Sequence, residues 1–348
     1  MTQTTRRPSG RPRLIDVAEH AGVSIATASR VLAGNRGVSE AVAERVRAAA
    51  DELDYVVNHH ARSLAGGASR SVGLVVHEIG DPYFTEIASG LLRRATEEGL
   101  TVQICHTGRD PENELRQIRG LIANGVGAIV VAGSGFVDAA TEEPARRALQ
   151  EYAATGGRVA VIGRHHLGGT DAVLPANVDG GRVIVEHLLA LGHRRIAIAS
   201  GSSTLTTVTD RLAGIRQACE DAGLDFDTVP VMEAAFTRHG GRECARVVLA
   251  EHPEATAIVA LNDDMAIGVL AELRAAGIAI PDQMSVTGFD DVAVAGDVSP
   301  GLTTVRLPMG EMGAQALALA LKEPGSRPRR QRVPAELVVR GSAGPAPQ

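Results

Sequence analysis

The 348-residue chain has few aromatic side chains and few cysteines. It contains no Trp, three Tyr and five Phe, so an aromatic ring placed beside polar residues is informative. Its three cysteines, Cys105, Cys219 and Cys244, are scattered and odd in number. This excludes a disulfide-framed secreted domain and favours reduced thiols. None lies in a CxxC, and the His and Cys pairs lack metal-site spacing, so we expect no metal and no cofactor.

Long apolar runs are also missing. None approaches the roughly 18 residues that a membrane helix needs. Residues 1–13 are polar and basic, without the apolar core of a secretory signal peptide. With 44% hydrophobic and 22% charged residues, the chain has the composition of a globular protein, and its length indicates two or three cores. We therefore expect a cytoplasmic protein.

Charge is distributed unevenly along the chain. The net charge is −6, yet residues 1–70 carry ten Arg against seven acidic residues. The first 13 residues alone hold four Arg and no acidic residue. This asymmetry indicates an anion-binding end on an acidic body.

Residues 14–53 have the pattern of three short helices. Apolar residues from Leu14 are broken at Gly22, where a turn needs a positive φ. Ser24 and Ser39 are suited to cap the second and third helices. The helical spacing predicts an inward face made of Ile15, Val17, Ala18, Ala21, Val23, Ala28 and Val31.

The second helix then presents one surface, which in a helix-turn-helix lies over the bases of the major groove. Arg30 is suited to guanine, whereas Ile25 and Ala26 offer apolar contact to thymine methyls. The hydroxyl residues suit phosphate contacts, which position the protein without specifying sequence. The alternative is an ordinary helical hairpin with a solvated Arg30. The expected reading surface comprises Ser24, Ile25, Ala26, Thr27, Ser29 and Arg30.

Two runs in this region resemble the DNA-binding headpiece of the LacI/GalR repressors. They are DVAEHAGVSIATASRVLAG and VSEAVAERVRAAADELDYVVNHHARSLAGG. One departure is Ala28, where the family usually has a larger β-branched residue. The resemblance implies a hinge helix over residues 58–65 that enters the minor groove, with Asn58 and Ala61 as contacts. Leu64 matches the leucine that wedges into a central base step; its alternative role is that of a linker residue.

From Ser71 onward, short apolar runs alternate with amphipathic stretches. Such β-α alternation predicts parallel sheets covered by helices on both faces. The strands are too many for one comfortable sheet, and two doubly wound lobes fit better than a TIM barrel. The landmarks DPYFTEIASGL, GHRRIAIASG, RLAGI, ALNDDMAIGVL and SVTGFDD resemble the same family's effector domain, which has the periplasmic-binding-protein fold. The predicted strands are 72–77, 100–105, 128–132, 158–162, 195–199, 228–232, 256–260 and 284–288.

Ligands of open α/β sheets bind beyond the carboxyl ends of the strands. Aromatic residues near these ends offer flat faces to a sugar ring or a base, or else serve as plugs under loops. Arginine and carboxylate side chains there suit neighbouring hydroxyls. The resemblance implies that the effector-binding set comprises Tyr83, Phe84, Arg164, Arg211, Phe236, Asn262, Asp263 and Asp290, with Phe289, Asp81 and Thr207 as further candidates.

Two other classes of protein share the expected fold. A nicotinamide enzyme is disfavoured because the Gly133-x-Gly135 pair continues to Asp138 and lacks the third glycine. A periplasmic solute receptor would need an N-terminal signal peptide, whereas the N-terminal region of this chain is predicted to be a DNA-binding headpiece. We therefore predict no enzyme, but a nucleoid-associated homodimeric repressor that a sugar releases from a pseudo-palindromic operator; the alternative is a nucleoside or other metabolite that acts as co-repressor.

The same reasoning predicts the order of domains along the chain. We expect a flexible basic arm (1–13), the headpiece (14–57), and a hinge with linker (58–70). The N-lobe is expected to comprise 71–164 with 298–324, the C-lobe 165–297 with 325–341, and the tail 342–348 to be disordered.

Overall fold

The computed structural model describes residues 12–32, 37–55, 69–323 and 325–347. The chain divides into two compact units, residues 1–69 and 70–348. In the described ranges, no helix has both the length and the apolar content needed to cross a membrane.

The described residues of the first unit form three helices, α1 (Leu14–His20), α2 (Ile25–Leu32) and α3 (Glu40–Glu52). The turn between α1 and α2 is made by Gly22, whose φ of +64° confirms the expected left-handed position. The Thr27 amide donates to Ser24 Oγ at 3.1 Å, so Ser24 caps α2 as expected. The helices enclose a small core of Val17, Ala18, Ala21, Ala28, Val31, Ala43, Val46, Ala49 and Ala50.

Two details of this headpiece differ from expectation. Ile15 was placed in the core, but it is 37% exposed because it lies on the outer side of the short helix α1. Ser39 occupies the position before α3, yet its side chain makes no capping hydrogen bond.

The second unit begins with a six-stranded parallel sheet, in the order β11-β5-β4-β3-β1-β2. Helices follow β1, β2 and β3 because each of these strands leads into an amphipathic stretch that begins with a capping residue. Asp81, Asp110 and Asp138 cap these three helices. The elements are β1 (Ser71–Val76), α4 (Pro82–Glu97), β2 (Thr101–His106), α5 (Pro111–Ala123), β3 (Ala128–Ala132), α6 (Ala139–Ala154), β4 (Arg158–Ile162) and β5 (Asp171–Pro175).

A second parallel sheet, of four strands in the order β7-β6-β8-β9, forms the other lobe. Its elements are α7 (Asn177–Ala190), β6 (Ile196–Ser200), α8 (Thr206–Asp221), β7 (Val231–Glu233), α9 (Arg238–Glu251), β8 (Ala257–Ala260), α10 (Asp263–Ala275), β9 (Ser285–Thr287) and the short α11 (Val294–Asp297). The chain then crosses between the lobes through β10 (Thr304–Arg306), α12 (Met309–Leu321), β11 (Arg330–Val333) and β12 (Glu336–Val338).

The strand pairing shows that the lobe boundaries differ from those predicted from the sequence. Strand β5 pairs with β4, and β11 pairs with β5, so residues 171–175 and 330–333 belong to the N-lobe sheet. Strand β10 pairs with β12 and bridges to the loop after β9, which places residues 304–306 with the C-lobe. The expected division at residues 164, 297 and 324 is therefore corrected.

The expectation of a disordered tail from residue 342 is also wrong. Ser342 is fully buried, and its Oγ donates to the Val286 carbonyl at 2.7 Å. Further along, the buried ring of His193 lies 3.0 Å from the Gly344 carbonyl, and the Ala346 amide donates to the Leu191 carbonyl at 2.9 Å. Small residues let this segment lie flat against the C-lobe, where its backbone groups find partners.

Candidate DNA-reading helix and effector cleft

Outside its buried face, α2 with its capping residue Ser24 presents mostly small or polar side chains, and Ile25 is the apolar exception. Ser24, Ile25, Ala26 and Arg30 are exposed, while Thr27 and Ser29 are half-buried. Ile25 keeps 47% of its surface exposed, which is a large exposure for an isoleucine. Ser24 Oγ and Thr27 Oγ1 lie 2.8 Å apart, so these two hydroxyls form one polar patch at the start of the helix. An exposed apolar residue beside hydroxyls and one arginine suits the mixed edge of a base pair.

Three of the expected DNA contacts, Asn58, Ala61 and Leu64, lie outside the described residues.

Arg211 is the centre of the cleft on the C-lobe side. Its side chain is buried, and its guanidinium donates to three acceptors on three different elements. These are Asn177 Oδ1 at 3.0 Å, the Leu261 carbonyl, and Asp290 Oδ1 at 2.9 Å. The guanidinium also lies 3.6 Å from the centroid of the Phe289 ring. The planar fork of arginine therefore ties together the start of α7 and the ends of β8 and β9.

Glycines allow this arrangement because they let α7 and α8 approach closely. A Cβ on Gly181 would overlap the backbone of Arg211, and a Cβ on Gly214 would overlap the Val178 carbonyl. Asp290 adopts a φ of +113°, which is rare for a residue with a side chain and turns its carboxylate toward Arg211. Burial raises the pKa of Asp290 well above its usual range, although the Arg211 charge opposes the shift.

The facing side of the cleft comes from the N-lobe. Asp81 caps α4 by accepting from the Tyr83 amide at 3.0 Å, and Tyr83 packs edge-on against Phe84, with ring centroids 5.0 Å apart. Burial raises the pKa of Tyr83, and the Asp290 charge raises it further. The charge of Arg211 therefore acts on Asp81 and Tyr83 of the other lobe, and the charge of Asp290 acts on Tyr83.

Beneath Tyr83, the Phe84 ring stacks on His77, with centroids 5.8 Å apart and planes inclined by 6°. Burial, assisted by the Arg109 charge, lowers the pKa of His77 to about 3. Neither ring nitrogen of His77 has a hydrogen-bond partner among the described residues. His77 is therefore a neutral, buried ring that supports the aromatic floor of the N-lobe side.

Phe236 lies at the mouth of the cleft, just before α9. Its ring sits on Gly201, where a Cβ would overlap it, so the glycine after β6 makes room for the ring. The Arg109 guanidinium, which comes from the loop after β2, lies 5.6 Å from the centroid of this ring. Phe236 therefore meets a side chain of the opposite lobe.

Three other expected cleft residues have structural partners of their own. Asn262 Oδ1 accepts from the Met265 amide at 2.9 Å and thereby caps α10. Arg164 pairs with Asp210 at 2.7 Å and is nearly half exposed, so it forms a contact between the lobes apart from the Arg211 group. Phe289 is fully buried beneath Arg211 and acts as a plug rather than as a surface of the cleft.

Asp263 differs most from its expected role. It is fully buried, with Oδ2 accepting from the Val292 amide at 2.9 Å and Oδ1 from Thr304 Oγ1 at 2.5 Å. Burial raises its pKa to about 7. Asp263 therefore braces the loop after β9 against β10 and is corrected from a surface of the cleft to a support behind it.

Sequence reasoning missed Asn177, His77 and Arg109. The first two follow β5 and β1, and their position at strand ends was the available signal. Arg109 carried a weaker signal, since the Gly108-Arg109-Asp110 run reads as a turn before a capped helix. Among the described residues, no group of three or more His, Cys, Asp or Glu side chains is arranged to hold a metal ion.

Comparison with known proteins agrees with this geometry. Residues 13–58 match the family described as bacterial regulatory proteins, lacI family, and residues 185–343 match the periplasmic binding protein-like domain. The chain is 34% identical to the HTH-type transcriptional regulator DegA of Bacillus subtilis (strain 168) over 336 residues, covering 95% of this chain and 98% of DegA.

Solved structures show the same relationship. The lac repressor dimer bound to operator and the anti-inducer ONPF superposes with a TM-score of 0.81 at 26% identity, covering 96% of this chain and 100% of that one. The complex of the transcriptional regulator CelR with cellobiose gives a TM-score of 0.70 at 29% identity, covering 95% and 100%. The helix-turn-helix, the two-lobed body and these full-length matches together show that the chain is a DNA-binding transcription regulator of the LacI family.

Proposed function

We propose that this regulator is a repressor that binds a pseudo-palindromic operator as a homodimer and is released by a small sugar. The observation that carries the proposal is the buried Arg211–Asp290 pair of the C-lobe, whose charges act on Tyr83 of the N-lobe. Such a cleft couples a ligand to the relative position of two lobes. We further propose that the protein acts in the cytoplasm, at the nucleoid.

The proposed DNA contacts lie in two segments. Arg30 reads a base edge, and the neighbouring residues of α2 position the helix in the major groove. The hinge wedges Leu64 into the minor groove at the centre of the operator, where it unstacks a base step and bends the duplex. The full proposed set is Ser24, Ile25, Ala26, Thr27, Ser29, Arg30, Asn58, Ala61 and Leu64.

A sugar is favoured because the cleft combines planar hydrogen-bonding groups with ring faces. An arginine fork and a carboxylate bind neighbouring hydroxyls in pairs, and aromatic rings pack on the apolar face of a pyranose or furanose. CelR, a similar protein, was solved with cellobiose. The proposed effector contacts are Tyr83, Phe84, Arg164, Arg211, Phe236, Asn262 and Asp290.

Release of DNA requires that the effector bind one arrangement of the lobes more tightly than the other. The test combines a thermal-shift screen of the full chain against sugars and nucleosides with operator binding in a gel-shift assay. We expect one sugar to raise the unfolding temperature and weaken operator binding. A nucleoside as the sole ligand, or a sugar that strengthens operator binding, would contradict the proposal.

A further inference from the structure

The loop after β2 directs one arginine into the cleft. Gly108 and Arg109 adopt successive left-handed conformations, with φ of +67° and +62°. The loop is held on both sides: the Thr107 amide donates to the Val76 carbonyl at 2.9 Å, and Asp110 caps α5. A left-handed φ at a residue with a side chain carries strain, which is often retained at functional sites. The backbone therefore fixes the direction of Arg109.

The Arg109 guanidinium is largely removed from water, yet poorly partnered. Its side chain is 25% exposed, and the nearest carboxylate oxygen, Asp81 Oδ2, is 3.6 Å away, beyond hydrogen-bond distance. The Arg109 guanidinium also lies 5.6 Å from the centroid of the Phe236 ring. Burial lowers the pKa of Arg109 although the charges of Asp81 and Glu78 oppose the shift. Five N–H donors are thus present without protein acceptors at hydrogen-bond distance.

The other arginines around the cleft are matched one to one with carboxylates. Arg211 pairs with Asp290 at 2.9 Å, Arg164 with Asp210 at 2.7 Å, and Arg238 with Asp264 at 3.0 Å. Asp81, the remaining carboxylate, already accepts from the Tyr83 amide through Oδ1. Arg109 is therefore the cleft arginine of the described chain that is paired with a carboxylate only at 3.6 Å, without a direct hydrogen bond, so its donors remain available to a ligand.

We propose that Arg109 is a specificity-determining residue that binds a carboxylate or phosphate group of the effector, which is then an acidic sugar derivative. This rests on the proposed function, because it places the oxyanion of the same ligand. A planar guanidinium with free donors matches a carboxylate or phosphate through two parallel hydrogen bonds. With the oxyanion on Arg109, the sugar ring lies against Phe236, so one ligand contacts both lobes and favours their closed arrangement.

The test uses the full-length protein and matched neutral and acidic sugars, namely glucose with gluconate and glucose 6-phosphate, and ribose with ribonate and ribose 5-phosphate. Calorimetric titration measures the affinity for each. We expect an acidic member to bind wild type at least tenfold more tightly than its neutral partner, since charge-assisted hydrogen bonds are the stronger ones. Comparing the affinities for gluconate and ribonate with those for the two sugar phosphates shows whether Arg109 binds a carboxylate or a phosphate group.

Two truncations remove the side chain in different ways. Arg109→Ala leaves a left-handed φ at a residue with a Cβ, whereas Arg109→Gly accepts that φ without strain. Both substitutions should lower the affinity for the acidic ligand by about 10- to 100-fold and change the affinity for its neutral partner by no more than about threefold. Arg147→Ala, on the exposed outer side of α6, is the control and should change neither affinity.

The outcomes separate the two proposals. Tighter binding of neutral sugars by wild type, or equal losses for neutral and acidic ligands in Arg109→Gly, would overturn the role of Arg109 and leave the sugar-responsive repressor standing. Binding of no sugar of either kind by wild type would overturn both. An acid preference that Arg109→Gly abolishes supports both.

Discussion

Replacement of Arg211 by lysine tests the centre of the cleft. The substitution keeps the positive charge and removes the planar fork. Arg211 now donates to acceptors on three elements, Asn177, the Leu261 carbonyl and Asp290. A single ammonium on a differently shaped stem does not reach all three in their present positions. We expect it to keep the ion pair with Asp290 and to lose the other two bonds.

The magnitude follows from burial. Hydrogen bonds that involve a charged group contribute about 1.5–3 kcal/mol each, and an unsatisfied buried carbonyl carries a similar penalty. After partial relaxation, we expect Arg211→Lys to lower the free energy of unfolding by about 2–4 kcal/mol. We also expect the response to effector to be lost, because the fork that binds neighbouring hydroxyls is gone.

Urea denaturation of the full chain measures the first effect, and operator binding with and without effector measures the second. Arg216→Lys is the matched control, since Arg216 lies on the same helix and pairs with Asp227 at 2.9 Å, but at the exposed surface. Exposed pairs contribute about 0–1 kcal/mol, so the control should unfold and respond nearly as wild type does. Equal stabilities for Arg211→Lys and Arg216→Lys, together with a normal effector response, would show that the Arg211 guanidinium neither ties the three elements together nor contacts the effector.

Four further predictions concern DNA reading, bending, packing and pH. Arg30→Ala should weaken operator binding by about 1–3 kcal/mol and relax one base preference in competition with operator variants. Leu64→Ala should reduce operator bending in a circular-permutation gel; a wild-type bend would exclude the wedge. Gly214→Ala should destabilise by about 1–3 kcal/mol because its Cβ would overlap the Val178 carbonyl, whereas Gly120→Ala, with open space around it, should stabilise by about 0.5–1 kcal/mol. Burial holds the pKa of His77 at about 3; the unfolded chain binds a proton below pH 6.5 that the folded chain refuses. The contribution of His77 to stability should therefore fall by about 2 kcal/mol from pH 6.5 to 5, and the difference in unfolding free energy between wild type and His77→Leu should change by that amount in a urea-unfolding pH series.

Local signals explain why most elements were predictable. Ser24 precedes a helix because its hydroxyl satisfies a backbone amide, and Gly22 precedes it because the turn needs a left-handed residue. Strands β1, β3 and β4 are short apolar runs bounded by polar loops, so their positions follow from composition alone. The boundary between the lobes could not be predicted from local composition.

Strand β11 shows the reason. Its Arg330 and Arg332 are exposed, and it joins the sheet at an edge through parallel pairing with β5, more than 150 positions earlier in the chain. No local periodicity marks such a strand, because its partner rather than its own pattern makes it extended. The tail after Gly341 differs from its prediction for a similar reason. Its small residues predict disorder, but in the structure they pack against a surface that only the folded C-lobe provides.

The site was predictable in location and less so in detail. Arg211 on α8 and Asp290 after β9 form an ion pair at 2.9 Å, on the side where parallel strands direct their carboxyl ends, and their role toward an effector stays a prediction. The pairing of Arg211 with Asn177 and the available donors of Arg109 depend on backbone turns, and so were not visible in the sequence. Asp263 follows a strand like the others, yet a neighbouring loop covers it and turns it into a support.

We propose that a ligand in the cleft controls DNA binding. Fluorescence anisotropy of labelled operator, titrated with wild type and with Asp290→Asn at one fixed salt concentration, measures this control. With the sugar selected by thermal shift present, we expect wild type to bind operator at least tenfold more weakly. Asp290→Asn should bind operator as wild type does without ligand and should not respond to the sugar. A wild-type affinity that the ligand leaves unchanged, or a full response in Asp290→Asn, would contradict the account.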